Sequence, residues 1–453
     1  MISIFKKKLS PETISTIKEQ VISELEYEQY DLAFKSIQPL IKAQSNNEFA
    51  AESLIEIVED GNLDVNDALD ILNEVYESHQ QNIRLVSSIG SALEYARNID
   101  ELNLPPPEHP LFEAVIQTLV EATNSGYGDE EEVILVGLST ATRMMARQHD
   151  ELSLDSYRRL VDMHASDPAN HYCLGLLCKT RGLFREGMES NKKGLELLEE
   201  PRESYLWNLG ICATGAGDGE TALNIWKQIG NKIEMGRFNL PEGGYPSCKV
   251  KLAEFPLAER SAGNDYPGQQ ETIWIERLSP CHGIIRSVLY QDLGVDYGDV
   301  VLIDGAPVTY HKYGDNEIPV FPHLSTLIRR DYQFFDFVAT QEERGQIGAV
   351  SESLSSDSVV YVHTENFKIL CSTCWRDPNN DHSEHTSEEK CIVRGRIAAA
   401  KTVESIELLK EIDTEMEQLQ NCEIFAPLLC KQSGFDKRAD VEQRRYNLLT
   451  ENM

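Results

Sequence analysis

The chain has 453 residues, of which 41% are hydrophobic and 26% are charged, and 75 acidic against 42 basic residues give a net charge of −33. This balance excludes wholesale disorder, and at roughly 100–200 residues per domain the length predicts about two to four domains. The negative charge argues against binding nucleic acid or an anionic membrane, since phosphate groups would be repelled. No apolar run is long enough to cross a bilayer, and the lysines at positions 6–8 follow an apolar patch instead of preceding one, so we expect a cytoplasmic protein.

The first 240 residues have the periodicity of helices. Ser10-Pro11 is a typical helix start, with a hydroxyl cap and a proline in the first turn. After Asp64, apolar side chains recur at three- and four-residue steps through Val65, Leu72 and Val75. Strand-like alternation is nearly absent before about residue 245, so this half is predicted to be all-α.

Matching positions recur within this half at a spacing of 35 residues: Leu174-Gly175 and Leu209-Gly210, Gly182 and Gly217, Asn191 and Trp226. The pattern, over about residues 168–232, resembles the tetratricopeptide repeat (TPR), whose units of about 34 residues are helix–turn–helix pairs. Glycines at 175 and 210 would let the two helices of a unit approach each other, and those at 182 and 217 would form the turn. Because such units are stable only when stacked, we expect the solenoid to extend back to about residue 10.

The resemblance implies that the helices bind a peptide or another protein along a concave surface. The alternative is that they only brace the C-terminal half. Residues 51–150 carry 20 acidic side chains and four basic ones, Arg84, Arg97, Arg143 and Arg147. These acids are either ordinary solvated faces or the means of attracting a basic partner, in which case binding should slow as salt rises.

The residue pattern changes near residue 240, where glycine and proline become frequent and short runs of β-forming residues replace the helical periodicity. Strands are predicted near residues 250–257, 272–277, 284–290, 299–303, 334–340, 358–362, 368–371 and 391–398, with a short helix at 322–330 and helical spacing again from 403 to 419. The predicted domains are a helical region at 1–165, TPR-like repeats at 166–240, a β-rich module at 241–400 and a helical tail at 401–453. The predicted fold class is therefore multidomain: an all-α TPR-like solenoid, then an α+β module with a mostly antiparallel sheet and a zinc knuckle. The charged stretch 434–445 is expected to be loosely held.

The metal prediction rests on Cys371 and Cys374, separated by two residues, and on three possible ligands that follow, His382, His385 and Cys391. Two thiolates at this spacing reach one tetrahedral zinc ion from a tight turn. His385 and Cys391 are the favoured third and fourth ligands, with His382 as the alternate. A structural zinc ion is favoured over a catalytic metal, a redox dithiol and unrelated buried thiols.

A second possible reactive thiol is Cys281, which stands beside His282. Neighbouring residues of a strand point to opposite faces, so its base would have to be another histidine such as His311, His323 or His363. The sequence therefore favours a protein-binding adaptor with a zinc-stabilised C-terminal module. The alternative is an enzyme with a metal- or thiol-dependent site in that module, whose substrate the repeats recruit.

Overall fold

The structure is a computed structural model that describes residues 9–97, 107–126, 128–264, 266–314, 316–354, 357–371 and 387–450. The chain divides into two compact units. The first comprises residues 1–243 and 255–268, and the second comprises residues 244–254 and 269–453. None of the described helices is both long enough and apolar enough to cross a bilayer.

The first unit is helical, as predicted. Its helices are α1 Pro11–Glu26, α2 Tyr30–Ala43, α3 Glu48–Asp60, α4 Val65–His79, α5 Ile83–Ala92, α6 Leu111–Asn124, α7 Glu131–Arg143, α8 Asp150–Met163, α9 Pro168–Thr180, α10 Phe184–Leu197, α11 Glu203–Gly215 and α12 Gly219–Gln228, followed by the short strands β1 Ile233–Met235 and β2 Pro241–Gly243. Consecutive helices pack on one another along the chain, which makes this a helical-repeat region. The predicted helix starts at Ser10 and Asp64 are confirmed, since both side chains accept a hydrogen bond from the first turn.

The repeat signature is confirmed by the packing of α9 on α10 and of α11 on α12. Gly182 and Gly217 lie between the helices of each pair with φ of 71° and 74°, a backbone conformation that favours glycine. A Cβ atom on Gly175 would lie 2.2 Å from the Asn191 side chain, and one on Gly210 would lie 2.6 Å from the Trp226 ring. The glycines at 175 and 210, which recur at a spacing of 35, are thus positions at which the helices of each pair touch, and those at 182 and 217 form the turns.

A five-stranded barrel begins the second unit. Its strands are β3 Cys248–Ala253, β4 Gln270–Arg277, β5 His282–Ile285, β6 Val300–Ile303 and β8 Asn316–Ile328, with β7 Thr309–Tyr313 added at the edge of β8. Neighbouring strands are antiparallel except that β8 closes the barrel by pairing in parallel with β3. Apolar side chains such as Val250, Ile275 and Val301 fill the core.

The prediction of a short helix at residues 322–330 is wrong, because residues 322–328 belong to strand β8. Two irregularities explain the misleading pattern. The residues of β8 that pair with successive residues of β6 skip from His323 to Ser325 and from Thr326 to Ile328. Leu324 and Leu327 therefore have no partner in the β6–β8 ladder. Each extra residue turns a two-residue alternation into a three-residue step, which in the sequence resembles helical spacing.

A second sheet follows in the order β10-β11-β9-β12, and all of its pairs are antiparallel. Its strands are β9 Tyr332–Gln341, β10 Ser358–Cys371, β11 Ser387–Ala400 and β12 Glu423–Phe425, and the helices are α13 Gln346–Ser353, α14 Ser405–Glu417, α15 Pro427–Gln432 and α16 Asp436–Thr450. Phe337 and Val393 of the sheet form a core with Leu408 and Ile412 of α14.

The expectation that the charged stretch 434–445 is loosely held is wrong, since Asp436–Thr450 form helix α16. Arg438 donates two hydrogen bonds to Asp413 of α14, at 2.6 and 2.7 Å, and Glu442 accepts one from the backbone N–H of Ala426 at 2.7 Å. Leu449 is buried. Charge on this helix is therefore used for contacts with its neighbours and does not indicate disorder.

Candidate functional site

The first unit contains an open groove of about 420 Å³ between α2, α3 and α4, which we call the acidic groove. Its lining residues are Tyr30, Asp31, Phe34, Ile57, Leu63, Asp67, Asp70, Ile71 and Glu74. Four of these nine side chains are carboxylates and none is basic. The rest are apolar or aromatic, so the groove combines an apolar surface with negative charge.

Helix α4 supplies one wall because of its residue spacing. Asp67, Asp70, Ile71 and Glu74 lie at positions i, i+3, i+4 and i+7, which fall on one face of a helix. The adjacent face, with Ala68, Leu72 and Val75, is buried in the core of the unit. The three acids are exposed while Ile71 is half-buried, so the wall presents carboxylates around an apolar centre.

The turn between α3 and α4 places Leu63 in the groove. Gly61 ends α3 where a Cβ atom would lie 2.3 Å from the carbonyl oxygen of Ile57, and Asn62 then takes a left-handed conformation with φ of 48°. Asp64 starts α4 by accepting a hydrogen bond from the backbone N–H of Asn66 at 2.9 Å. Leu63 is held between these two ends, where it is half-buried beside Ile57.

The potential around the groove is negative beyond its lining residues. Burial raises the pKa of the Tyr30 phenol, and the carboxylates of Asp60, Glu28 and Glu56 raise it further. Burial and the nearby Asp60 likewise raise the pKa of Glu56. Carboxylates this close repel one another, and a cation bound among them would relieve that repulsion. The groove is therefore suited to a positively charged ligand with apolar side chains.

The predicted metal ligands fall mostly outside the described residues. Cys374, His382 and His385 lie there, and of Cys371 only the backbone position, at the end of β10, is described. Cys391 is fully buried on β11, where its Sγ accepts a hydrogen bond from the amide of Gln341 at 3.5 Å. Within the described ranges, no three His, Cys, Asp or Glu side chains are grouped as metal ligands.

Strand register places Cys391 away from the end of the hairpin. Cys371 pairs with Ser387, whereas Cys391 pairs with Phe367, four positions further along the ladder. At about 3.4 Å per residue, this separates the backbones of the two cysteines by roughly 14 Å along the strands. The register thus brings Cys371 to the start of β11 and does not bring Cys391 beside it. The zinc ion itself stays a prediction.

The thiol at position 281 is also inside the fold. Cys281 and the adjacent His282 are both fully buried, and His282 Nδ1 lies 2.5 Å from the hydroxyl oxygen of Ser279. Of the three histidines considered as its base, His323 is buried in the barrel, and His311 lies 3.4 Å from the Lys249 ammonium. His363 belongs to β10, in the second sheet. None of these contacts forms a thiol–imidazole pair.

The second unit has a cavity of about 550 Å³, lined among others by Tyr290, Asp296, Asp299, Phe334 and Arg396. Its buried carboxylates are occupied with structural contacts. Asp296 accepts hydrogen bonds from the backbone N–H of Leu289 and from Arg396, both at 2.9 Å, and Asp299 accepts one from the backbone N–H of Arg330 at 2.5 Å. Neither Cys281 nor Cys391 lines this cavity.

Comparison with known proteins is informative only at the level of structure. No family model matches the chain, and no curated protein matches it. About half of the chain is similar to solved helical-repeat structures.

One is PilW, described as a widely conserved type IV pilus biogenesis factor, with 14% identity, 49% of this chain and 93% of that chain covered and a TM-score of 0.39. A second is PilF of Pseudomonas aeruginosa, with 14% identity, 48% and 90% covered and a TM-score of 0.35. A third is YrrB, described as a TPR protein with an unusual peptide-binding site, with 13% identity, 42% and 89% covered and a TM-score of 0.29. At these TM-scores the similarities carry no argument of their own, and the repeat architecture rests on the helix pairs described above.

Proposed function

We propose that this protein is a binding adaptor whose acidic groove holds a basic segment of a partner protein, anchored by apolar side chains. The observation that carries the proposal is the combination of four carboxylates with Phe34, Leu63 and Ile71 in one open groove. Lysine and arginine side chains of the partner would pair with Asp67, Asp70 and Glu74, while its apolar side chains would cover the half-buried ones. The surplus of acids in residues 51–150 would speed the encounter.

A model peptide tests this binding. We expect a short labelled peptide with leucines on one helical face and lysines on the other to bind the full chain, with an affinity that falls as sodium chloride is raised from about 50 to 300 mM. Fluorescence anisotropy measures both. The same peptide with glutamine in place of lysine is the control. Equal binding of the two peptides, or an affinity that does not change with salt, would refute the electrostatic part of the proposal.

We further propose that a structural zinc ion stabilises the end of the β10–β11 hairpin. Support comes from the Cys371-x-x-Cys374 spacing and from the pairing of Cys371 with Ser387, which sets the ends of the two strands side by side. The register disfavours Cys391, so His382 and His385 are the expected partners of the two cysteines.

Metal content tests the zinc proposal directly. We expect about one zinc per chain after mild purification, and loss of that zinc in a Cys371→Ser, Cys374→Ser double variant. A Cys391→Ser variant is the control and should retain the metal. Elemental analysis that finds under about a tenth of an equivalent in the wild type would contradict the proposal.

A further inference from the structure

The chain itself contains a stretch with the chemistry that the acidic groove requires. Residues 1–8, which lie outside the described ranges, place Ile2, Ile4 and Phe5 before three lysines at positions 6–8. We call this stretch the basic segment. It holds the only run of three basic residues in the sequence, and no acidic residue occurs before Glu12, although 75 of the 453 residues are acidic. The basic segment therefore stands out in a chain of net charge −33.

The groove has unused partners for both parts of this segment. Phe34, Leu63 and Ile71 are half-buried, so each keeps apolar surface that an incoming side chain can cover. The four carboxylates of the lining are exposed, and none of them makes an ion pair or a side-chain hydrogen bond with another residue in the described part of the chain. They are therefore available to cations from another chain.

The dimensions of the groove also suit the segment. Its volume of about 420 Å³ lies within the roughly 300–1,000 Å³ of typical ligand sites, which is room for a few side chains. From Asp67 to Glu74 the carboxylates extend along α4 for about 10 Å, at 1.5 Å per residue. Three consecutive lysines in an extended chain span about 7 Å, and their long flexible side chains cover the difference.

The groove of the same copy is out of reach of the aromatic side chain of the segment. Residues 27–29 join α1 to α2 as a hairpin, and Gln20 of α1 donates a hydrogen bond to Ser36 of α2 at 3.0 Å. Phe34 is therefore level with a point about eleven residues, or roughly 16 Å, beyond the start of α1. Because Leu9 packs against the core, the chain from there back to Phe5 spans only about 14 Å when fully extended.

We propose that the basic segment of one copy docks in the acidic groove of a second copy, with Phe5 against the apolar centre and the lysines on the α4 wall. The inference rests on the proposed function and names its partner as a second copy of this chain. The contact joins two different surfaces, so a copy whose groove is filled still offers its own segment. Assembly therefore grows with protein concentration, and two copies that exchange segments are its smallest closed form.

The net charge of the chain makes this contact weak and dependent on conditions. Two copies of charge −33 repel each other at long range, whereas the lysines and the groove carboxylates attract each other at close range. At about 150 mM salt the screening length is about 8 Å, so the long-range repulsion is largely removed while the close pairs remain. Self-association is therefore expected at physiological ionic strength and micromolar or higher concentrations.

Analytical ultracentrifugation of the full-length protein tests the proposal. In about 150 mM sodium chloride, we expect the average mass to rise between about 1 and 100 μM protein. The segment variant, Lys6→Gln, Lys7→Gln, Lys8→Gln, should associate at least about tenfold more weakly, and Phe5→Ala about tenfold more weakly. The matched control should behave like the wild type, because it makes the same change in net charge at exposed positions of α10 and α12: Lys192→Gln, Lys193→Gln, Lys227→Gln.

Mixing two variants separates docking from general charge effects. The groove variant, Asp67→Asn, Asp70→Asn, Glu74→Gln, keeps the basic segment but lacks the α4 carboxylates, while the segment variant keeps the groove. Each alone should stay monomeric at concentrations where the wild type associates. An equimolar mixture should form a complex with the mass of two chains, because one variant supplies the segment and the other supplies the groove.

Four outcomes would overturn the proposal. These are a wild type that stays monomeric at about 100 μM, a mixture of the two variants that forms no complex, equal losses in the segment variant and its control, and a monomeric wild type whose basic segment binds anionic phospholipid vesicles instead. If the model peptide of lysines and leucines still binds the groove in any of these cases, the docking of copies is refuted and the proposed adaptor function stands. If that peptide also fails to bind, both are refuted.

Discussion

Replacing Trp226 by alanine is expected to lower the free energy of unfolding of the first unit by about 3–5 kcal/mol, the usual range for deleting a buried aromatic side chain. Trp226 is fully buried on α12, and its ring lies over Gly210 of α11. It also meets Trp207 edge-to-face, with ring centroids 5.2 Å apart. Gly210 has no side chain to fill the space left behind, so the cavity would remain and add to the loss.

Urea unfolding followed by circular dichroism measures this effect, and hydrogen exchange locates it. Because stacked repeats are stabilised mainly by their neighbours, exchange should rise first in α11 and α12. Tyr27→Ala is the matched control: Tyr27 is 73% exposed, and its loss should change the stability by less than about 0.5 kcal/mol. Similar effects of the two substitutions would mean that Trp226 does not join α11 to α12.

The repeat pairs could be predicted from the sequence because their contacts are local. Gly175 meets Asn191 and Gly210 meets Trp226, each pair only 16 residues apart, and the two pairs are related by the same 35-residue step. A helix hairpin of this length has one dominant crossing point, so the small residue and its partner appear at fixed positions in each unit. Periodicity therefore predicts both the helices and the places where they touch.

The barrel could not be predicted in the same way, because its strands pair across long stretches of sequence. β3 pairs with β8 about 70 residues later, and β8 also pairs with β6 and β7. The extra residues Leu324 and Leu327 in β8 imitate helical spacing, and only the partner strand shows that they are bulges. The register between the consecutive strands β10 and β11, which their residue pattern does not reveal, likewise places Cys391 away from the end of that hairpin.

The acidic groove combines local signals with distant ones. The face formed by Asp67, Asp70, Ile71 and Glu74 is visible in the sequence of α4, but its partner Phe34 comes from another helix and carries no signal of its own. The meeting of this face with Phe34 depends on tertiary packing, which periodicity does not encode.

Neutralising the α4 wall of the acidic groove is expected to weaken binding of the lysine–leucine peptide about 10–100-fold. The change is the triple variant Asp67→Asn, Asp70→Asn, Glu74→Gln, which keeps the size of each side chain while removing its charge. Each exposed ion pair contributes about 0.5–1 kcal/mol, so the three together account for roughly 1.5–3 kcal/mol. The dependence of affinity on salt should become shallower in the same variant, because fewer charges are paired in the complex.

The control must separate a groove from a merely negative surface, since a chain of net charge −33 attracts basic peptides everywhere. Glu189→Gln, Glu199→Gln, Glu200→Gln removes the same charge from exposed positions outside the groove and should leave the affinity within about threefold of wild type. Phe34→Ala tests the apolar part: affinity should fall while the salt dependence stays unchanged. If both triple variants weaken binding equally and Phe34→Ala has no effect, the peptide is held by general charge attraction and the acidic groove is not its site.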